Sequence, residues 1–412
     1  MSIPQKRYDD NFKYIDSFGN ELPWGGFLEA GCFHRGWAEI VTQNPKSKLF
    51  WGMLNRDGRT KVQLGGTPLE IIKKEALSKG HFALEDWTDG FDFLVTLIDW
   101  EDNYKLTQGI WSYKQNRWLI EPEYSFASLR YTEQGIIPLL KPDGELMHSD
   151  NEGAIIDSYR IEKHILKRFE EVKIYSDEEG GVCILEEWRA NKRDDTKHEF
   201  ALLNVLTGES YGILKLMALG MTSEEKRYAI DTKGVEIITD SFGQFLYKLP
   251  FQSDFLRNSK IVPHPVLSGI KYDFQYRFQS DRMSLPYWDN NGKCHYYLVD
   301  SKGEVVISPG TYDSGIIVLG NNRILVCKNS KWALADANGK LLTDFLYKPN
   351  NRSHRMRNNR IVLGKRKSRS IILEGALDTD GNEVIPFNFE GIIPCTGESI
   401  PFEDDAALIR IR

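Results

Sequence analysis

The sequence predicts an all-β repeat protein of small antiparallel meanders, closed into a propeller-like ring and interrupted by one helical insertion. Three observations predict it. A turn phrase returns along the 412 residues: apolar residues, Asp or Asn, two variable positions, Gly, then a β-rich run, as in YIDSFG, MLNRDG, AIDTKG, LVDSKG, LADANG and ALDTDG, which end at Gly19, Gly58, Gly234, Gly303, Gly339 and Gly381. Apart from the long interval between Gly58 and Gly234, the copies lie 36 to 42 residues apart, or near double that, the period of a repeat architecture. The third observation concerns the ends: the sequence starts inside a unit, at KYIDSFGNEL, and finishes with AALIRIR, which reads as the missing preceding strand. A unit divided in this way is how a ring of meanders closes, whereas an open stack carries polar caps.

Each element follows from local chemistry. Asp at the first turn position accepts backbone N–H groups further round the turn, and Gly at the fourth takes φ > 0. Asp-x-x-Gly between apolar runs is therefore a hairpin specification. RILVCK turns at Lys328–Lys331 into WALAD, which turns at Asp336–Gly339 into KLLTDF. One meander cannot bury its own apolar face, so neighbours must stack on it. LVTLIDW around Val95 is apolar on both faces, the pattern of a strand covered on both sides. Residues 67–80, TPLEIIKKEALSKG, predict a helix with Thr67 as N-cap, Pro68 in the first turn, Glu70 completing a capping box and Gly80 ending it. A second helix is predicted within 160–172. Residues 145–200 fit the repeat poorly and read as an irregular or inserted segment, within a single β domain spanning 1–412 and closed by its C-terminal strand.

Residues 26–62, GFLEAGCFHRGWAEIVTQNPKSKLFWGMLNRDGRTKV, carry a resemblance. They resemble the bacterial WG-repeat family, whose units run Tyr-Asp, Phe-x-x-Gly-x-Ala, then Lys-Trp-Gly-x-Ile-Asp-x-x-Gly and Val-Ile-Pro. Phe33, Gly36, Ala38 and Ile40 match the middle of the unit; Trp51, Gly52, Asn55 and Gly58 match its signature. Weaker copies are CHYYLVDSKGEVVISPGTYD, KWALADANGKLLTDF and EGALDTDGNEVIPFNF, starting at Cys294, Lys331 and Glu374. The resemblance implies an interaction module and leaves its target open.

Composition sets bounds. A hydrophobic content of 41% and an aromatic content of 12% suffice for a large core, and a net charge of −6 gives no general basic balance for nucleic acid. The N-terminus lacks the apolar run of a secretory signal, and no stretch approaches 18 apolar residues, so neither export nor a membrane span is expected. Five scattered cysteines (32, 183, 294, 327, 395) without C-x-x-C point to reduced cytoplasm rather than a disulfide framework or a zinc site. Cys327 reads as a small hydrophobe in a strand, and Trp51 and Trp332 read as core packing.

No catalytic signature is found. The eight histidines form no H-E-x-x-H, no i,i+4 pair on a predicted helix and no zinc spacing with cysteine, and there is no G-x-S-x-G or P-loop. No catalytic residue, metal ligand or cofactor is assigned. Two charge runs remain. Residues 352–369, RSHRMRNNRIVLGKRKSR, hold Arg352, Arg355, Arg357, Arg360, Lys365, Arg366, Lys367 and Arg369 and no acid, leaving −14 on the rest of the chain. They are the candidate binding residues for an acidic partner, nucleic acid or phosphate, set against the plainer reading of two solvated loops flanking a strand. Residues 85–102 hold seven acids and no base, without the order of a calcium loop. The sequence thus reads as a non-enzymatic cytoplasmic interaction scaffold whose partner is another protein. A propeller hydrolase acting on a sugar or phosphate ester in a central pocket, and nucleic-acid binding through the basic run, are the alternatives.

Overall fold

The computed structural model describes residues 12–410, leaving aside 44–48, 65–80, 100–104, 162–173, 177–181, 187–197, 253–277, 350–355, 393–405 and some single residues and pairs between them. The described residues are all-β, with one short 3-10 turn at Thr132–Gln134. Both predicted helices fall largely outside them: 67–80 and 162–172 are not described, while Arg160 ends a strand, Ile155–Arg160, and Ile161 is buried. Within 145–200, read from the sequence as an irregular or inserted segment, the described residues include strands at Glu145–Ser149, Ile155–Arg160, Ile174–Ser176 and Val182–Glu186, with an Asp150-braced hairpin joining the first two. The repeat phrase is degenerate there, but the alternation and the turn at Asp150–Gly153 that build a meander are intact.

The strands form seven antiparallel sheets. Two of these have seven strands, and each joins two meanders, so the described strands make nine meanders. In one of the joined pairs the 14-residue strand Ser210–Ser223 serves both meanders: its first half pairs with His198–Asn204 and its second with Lys226–Asp231. Between successive meanders lie apolar clusters. One gathers Tyr228, Ile238, Met283, Leu285 and Tyr297, and another Leu298, Ile316, Ile324, Val326 and Ala333. Stacking of this kind supplies the burial that a lone meander lacks. Val95, Thr96 and Leu97 are successive and all buried, so that strand is covered on both faces. Cys327 is a free, buried thiol, and Trp332 packs against the cluster of Leu325, Leu334 and Tyr347.

The two ends of the described chain share one sheet. Ala406–Arg410 lies between Gly391–Ile392 and Phe12–Asp16, with Asp16 opposite Ala406 and Phe12 opposite Arg410. A bridge from Ile15 to Glu21 adds the fourth member. Ala407 and Ile409 are the buried side of the C-terminal strand, and they pack with Ile15, Val362, Ala376, Ile385 and Ile392.

The repeated turn has one geometry. In each copy Asp Oδ1 accepts the N–H groups two and four residues on: Phe18 and Asn20 at Asp16 (both 2.9 Å), Lys302 and Glu304 at Asp300 (2.9 and 2.8 Å), Asn338 and Lys340 at Asp336 (both 2.9 Å). The fourth residue is Gly at positive φ, +87° at Gly303, +88° at Gly339 and +86° at Gly381. Each of these glycines also seats on the last strand segment of the preceding meander. A methyl group at Gly303 would lie 2.8 Å from Tyr247 Cε2, at Gly339 3.1 Å from Ile307 Cδ1, and at Gly381 2.7 Å from Thr343 Cγ2. Replacing any of the three with Val is expected to destabilise the fold by about 1–3 kcal/mol, since a β-branched side chain resists this φ and has no room. Thermal melts unchanged in all three variants would contradict the turn assignment.

Candidate interaction surface

The carboxylates that recur along the chain are engaged as turn braces. Besides the copies above, Asp150, Asp231, Asp240, Asp289 and Asp378 each accept two backbone N–H groups at 2.8–2.9 Å. Partial burial opposes the ionised form of Asp16 and Asp378. The side-chain amides of Asn20 and Asn382 and the turn N–H groups outweigh it, and both carboxyls lie below the ordinary aspartate value. Asp289 is lowered by the Lys293 N–H and by His295, whose Nε2 is 3.1 Å from Oδ2. A carboxyl held ionised in this way suits a structural acceptor. A general acid needs the opposite shift. The buried carboxylate Glu236 accepts the Tyr228 hydroxyl at 2.8 Å. Among the described residues no group of three or more His, Cys, Asp or Glu is placed to hold a metal ion.

The basic run is divided by the strand it contains. Arg352, Arg355, Arg357 and Arg369 lie outside the described residues. Arg360 opens the strand Arg360–Arg366 and Arg366 closes it, so the two stand roughly 20 Å apart along an extended backbone. The Arg360 guanidinium donates from Nε to Ser17 O at 3.1 Å and lies 5.7 Å from the centre of the Phe18 ring. Lys365 reaches across the rings of Tyr347 and Phe387 to Glu383, 3.6 Å away. Arg366 and Lys367 are exposed at the start of a hairpin turn, braced by Lys367 N–H donating to Ile371 O at 2.9 Å. The structure therefore leaves these two as the described members of the run turned to solvent, and gives Arg360 and Lys365 packing roles.

Exposed apolar side chains were not singled out from the sequence. Ile155, Ile156 and Tyr159 on one outer strand, and Phe245 and Leu246 on the outer strand Phe245–Lys248, are solvent-exposed at the edges of their sheets. The available signal was the adjacency of apolar residues, II and FL, in short strands where strict alternation would hide only one of each pair.

Such geometry defines a class: an all-β repeat protein of stacked antiparallel meanders with Asp-braced turns. Residues 298–332 match the family model described as the WG containing repeat, the family that the sequence resembles. No curated protein matches it by sequence. Solved structures similar to it include the β-propeller domain of the Trilobed protease from Pyrococcus furiosus, with 12% identity over 75% of this chain and 99% of that one and a TM-score of 0.32. BamB from Moraxella catarrhalis gives 12% identity over 76% of this chain and 82% of that one, with a TM-score of 0.30. The Dos1 propeller gives 8% identity, coverage of 86% and 92%, and a TM-score of 0.36. No described helix is long and apolar enough to cross a membrane.

Proposed function

We propose that the chain is a non-enzymatic repeat scaffold whose meanders close into a ring and which binds an acidic protein surface through its basic hairpin. The observation that carries this reading is the division of labour among the charged groups. The recurrent aspartates are committed to backbone N–H groups in the turns, while Arg366 and Lys367 project from a braced turn into solvent. A rigid turn that presents two cations costs little ordering on binding and attracts a negative surface. Ring closure is supported by the sheet that the two ends share. The free thiols of Cys294 and Cys327 accord with a cytoplasmic setting.

The test is the double reversal Arg366→Glu with Lys367→Glu, assayed against polyglutamate, single-stranded DNA and proteins captured from the native cell. Affinity for polyglutamate and for a captured acidic protein is expected to fall at least about tenfold, and wild-type binding to weaken as salt rises, with the melting temperature unchanged. Binding indifferent to both the reversal and salt refutes the basic hairpin as the site. Binding confined to DNA replaces the protein partner with a nucleic acid.

A further inference from the structure

The meanders are joined by a repeated cationic clasp. Lys226, Arg282 and Arg323 each open a strand and lie opposite a turn aspartate of their own meander, Asp240, Asp300 and Asp336. Each donates to a backbone carbonyl in the Asp turn of the following meander, at the residue just after the turn aspartate. Lys226 Nζ reaches Ser301 O at 2.5 Å, Arg282 Nε reaches Ala337 O at 3.0 Å, and Arg323 Nε reaches Thr379 O. The two arginines add a second contact, to the next turn residue: Arg282 Nη2 to Asn338 Oδ1 at 3.0 Å and Arg323 Nη2 to Asp380 Oδ1 at 3.5 Å. Arg360 occupies the same position in its own meander, and its carbonyl is that of Ser17, the residue after Asp16, 343 positions away in sequence. At this junction the residue matching Asn338 and Asp380 is Phe18, so a contact to an exposed ring stands in place of the polar one. The glycine seating repeats as well: a methyl group at Gly19 would lie 3.2 Å from Ile385 Cγ2, in the last strand of the Arg360 meander.

We propose that Arg360 is a latch: it closes the ring with the clasp used at these three junctions, in a form weaker than that of Arg282 and Arg323, and its release frees the meander shared by the two ends while the rest of the ring stays folded. This rests on the closed-ring reading. Two features make that meander the one that opens. Its clasp has one hydrogen bond and an exposed cation–π contact, a weaker second contact than the paired amide or carboxylate at the Arg282 and Arg323 junctions. The chain is also not continuous through this sheet, so nothing covalent holds Phe12–Asp16 against Ala406–Arg410.

The experiment is native-state hydrogen exchange on Arg360→Ala, with Arg323→Ala as the matched control at an interior junction. In Arg360→Ala, exchange at 12–16 and 406–410 is expected to rise roughly tenfold or more, with 323–328 and 331–336 at wild-type rates. Arg323→Ala is expected to leave 406–410 at the wild-type rate. Arg360→Lys, which copies the lysine clasp of Lys226, should keep most of the protection and serves if the alanine variant does not fold. A disulfide between Phe12→Cys and Arg410→Cys, which face each other in the ladder, should restore protection in Arg360→Ala. End strands that exchange no faster in Arg360→Ala, or that speed equally in Arg323→Ala, overturn the latch and leave the ring standing. Failure of the disulfide to form in an otherwise unaltered chain overturns the closed ring itself.

Discussion

Removal of residues 405–412 is expected to lower stability by at least about 4 kcal/mol and to make the protein aggregate. The deletion withdraws Ala407 and Ile409 from the cluster they form with Ile15, Val362, Ala376, Ile385 and Ile392. It also strips Phe12–Asp16 of all five of its ladder partners. Burying one Ile side chain contributes about 1.5–3 kcal/mol, and each lost ladder bond about 0.5–1.5 kcal/mol. The exposed edge of Phe12–Asp16 then becomes a template for pairing with other chains. Denaturation and light scattering of a chain ending at Asp404 measure both effects. A soluble monomer with a near-unchanged midpoint would overturn the closed ring in favour of an open stack, which loses only a terminal strand.

Gly375→Val is expected to cost about 2–3 kcal/mol. Gly375 stands three residues before the turn residue Asp378, as Gly109 stands three before Ser112. A methyl group on Gly375 would lie 2.6 Å from Ile385 O and 2.9 Å from Phe387 N, and on Gly109 2.7 Å from Ile120 O and Pro122 N. Both positions coincide with register shifts in the ladder to the neighbouring strand, so the glycine permits two backbones to approach at a bulge. Backbone cannot move aside as a side-chain end can. At Ala333, the matching position in the meander before, the next segment meets the strand at the neighbouring residues, through Leu342 and Thr343 N–H to Leu334 O and Leu346 N–H to Trp332 O, and the alanine methyl group is accommodated. The check is a chemical-denaturation midpoint for Gly375→Val beside Ala333→Gly. A Gly375→Val midpoint equal to wild type would remove the close-approach explanation.

The turns were legible because their chemistry is local: an Asp and a Gly three residues apart suffice to place the brace and the positive φ. The copies at Asp150, Asp240 and Asp289 use the same chemistry and escaped notice where the flanking residues depart from the repeat phrase, as in SDNEG. The pairing of Ala406–Arg410 with Phe12–Asp16 was legible from the divided unit, and Ala407 and Ile409 are buried side chains of that strand. The clasps were not, because a cation at the start of a strand acquires its meaning only when the next meander, 55 to 75 residues on at the three interior junctions, brings a carbonyl to it. The basic run shows the converse limit. Six positions apart in sequence, Arg360 and Arg366 are held at opposite ends of one extended segment, and the structure gives them different surroundings. The outer-strand side chains Phe245 and Leu246 were invisible as a surface because hydrophobicity alone does not distinguish a face that is covered from one that is not.

The ladder between the two ends has a mechanical consequence. Phe12 lies opposite Arg410 and Asp16 opposite Ala406, so chain attached before residue 12 and chain attached after residue 410 leave the sheet at the same end. Tension between such attachments peels the two strands apart one residue pair at a time, instead of shearing all five together. Under load the two ends would part pair by pair along this ladder, at lower force than a sheared ladder of the same length needs.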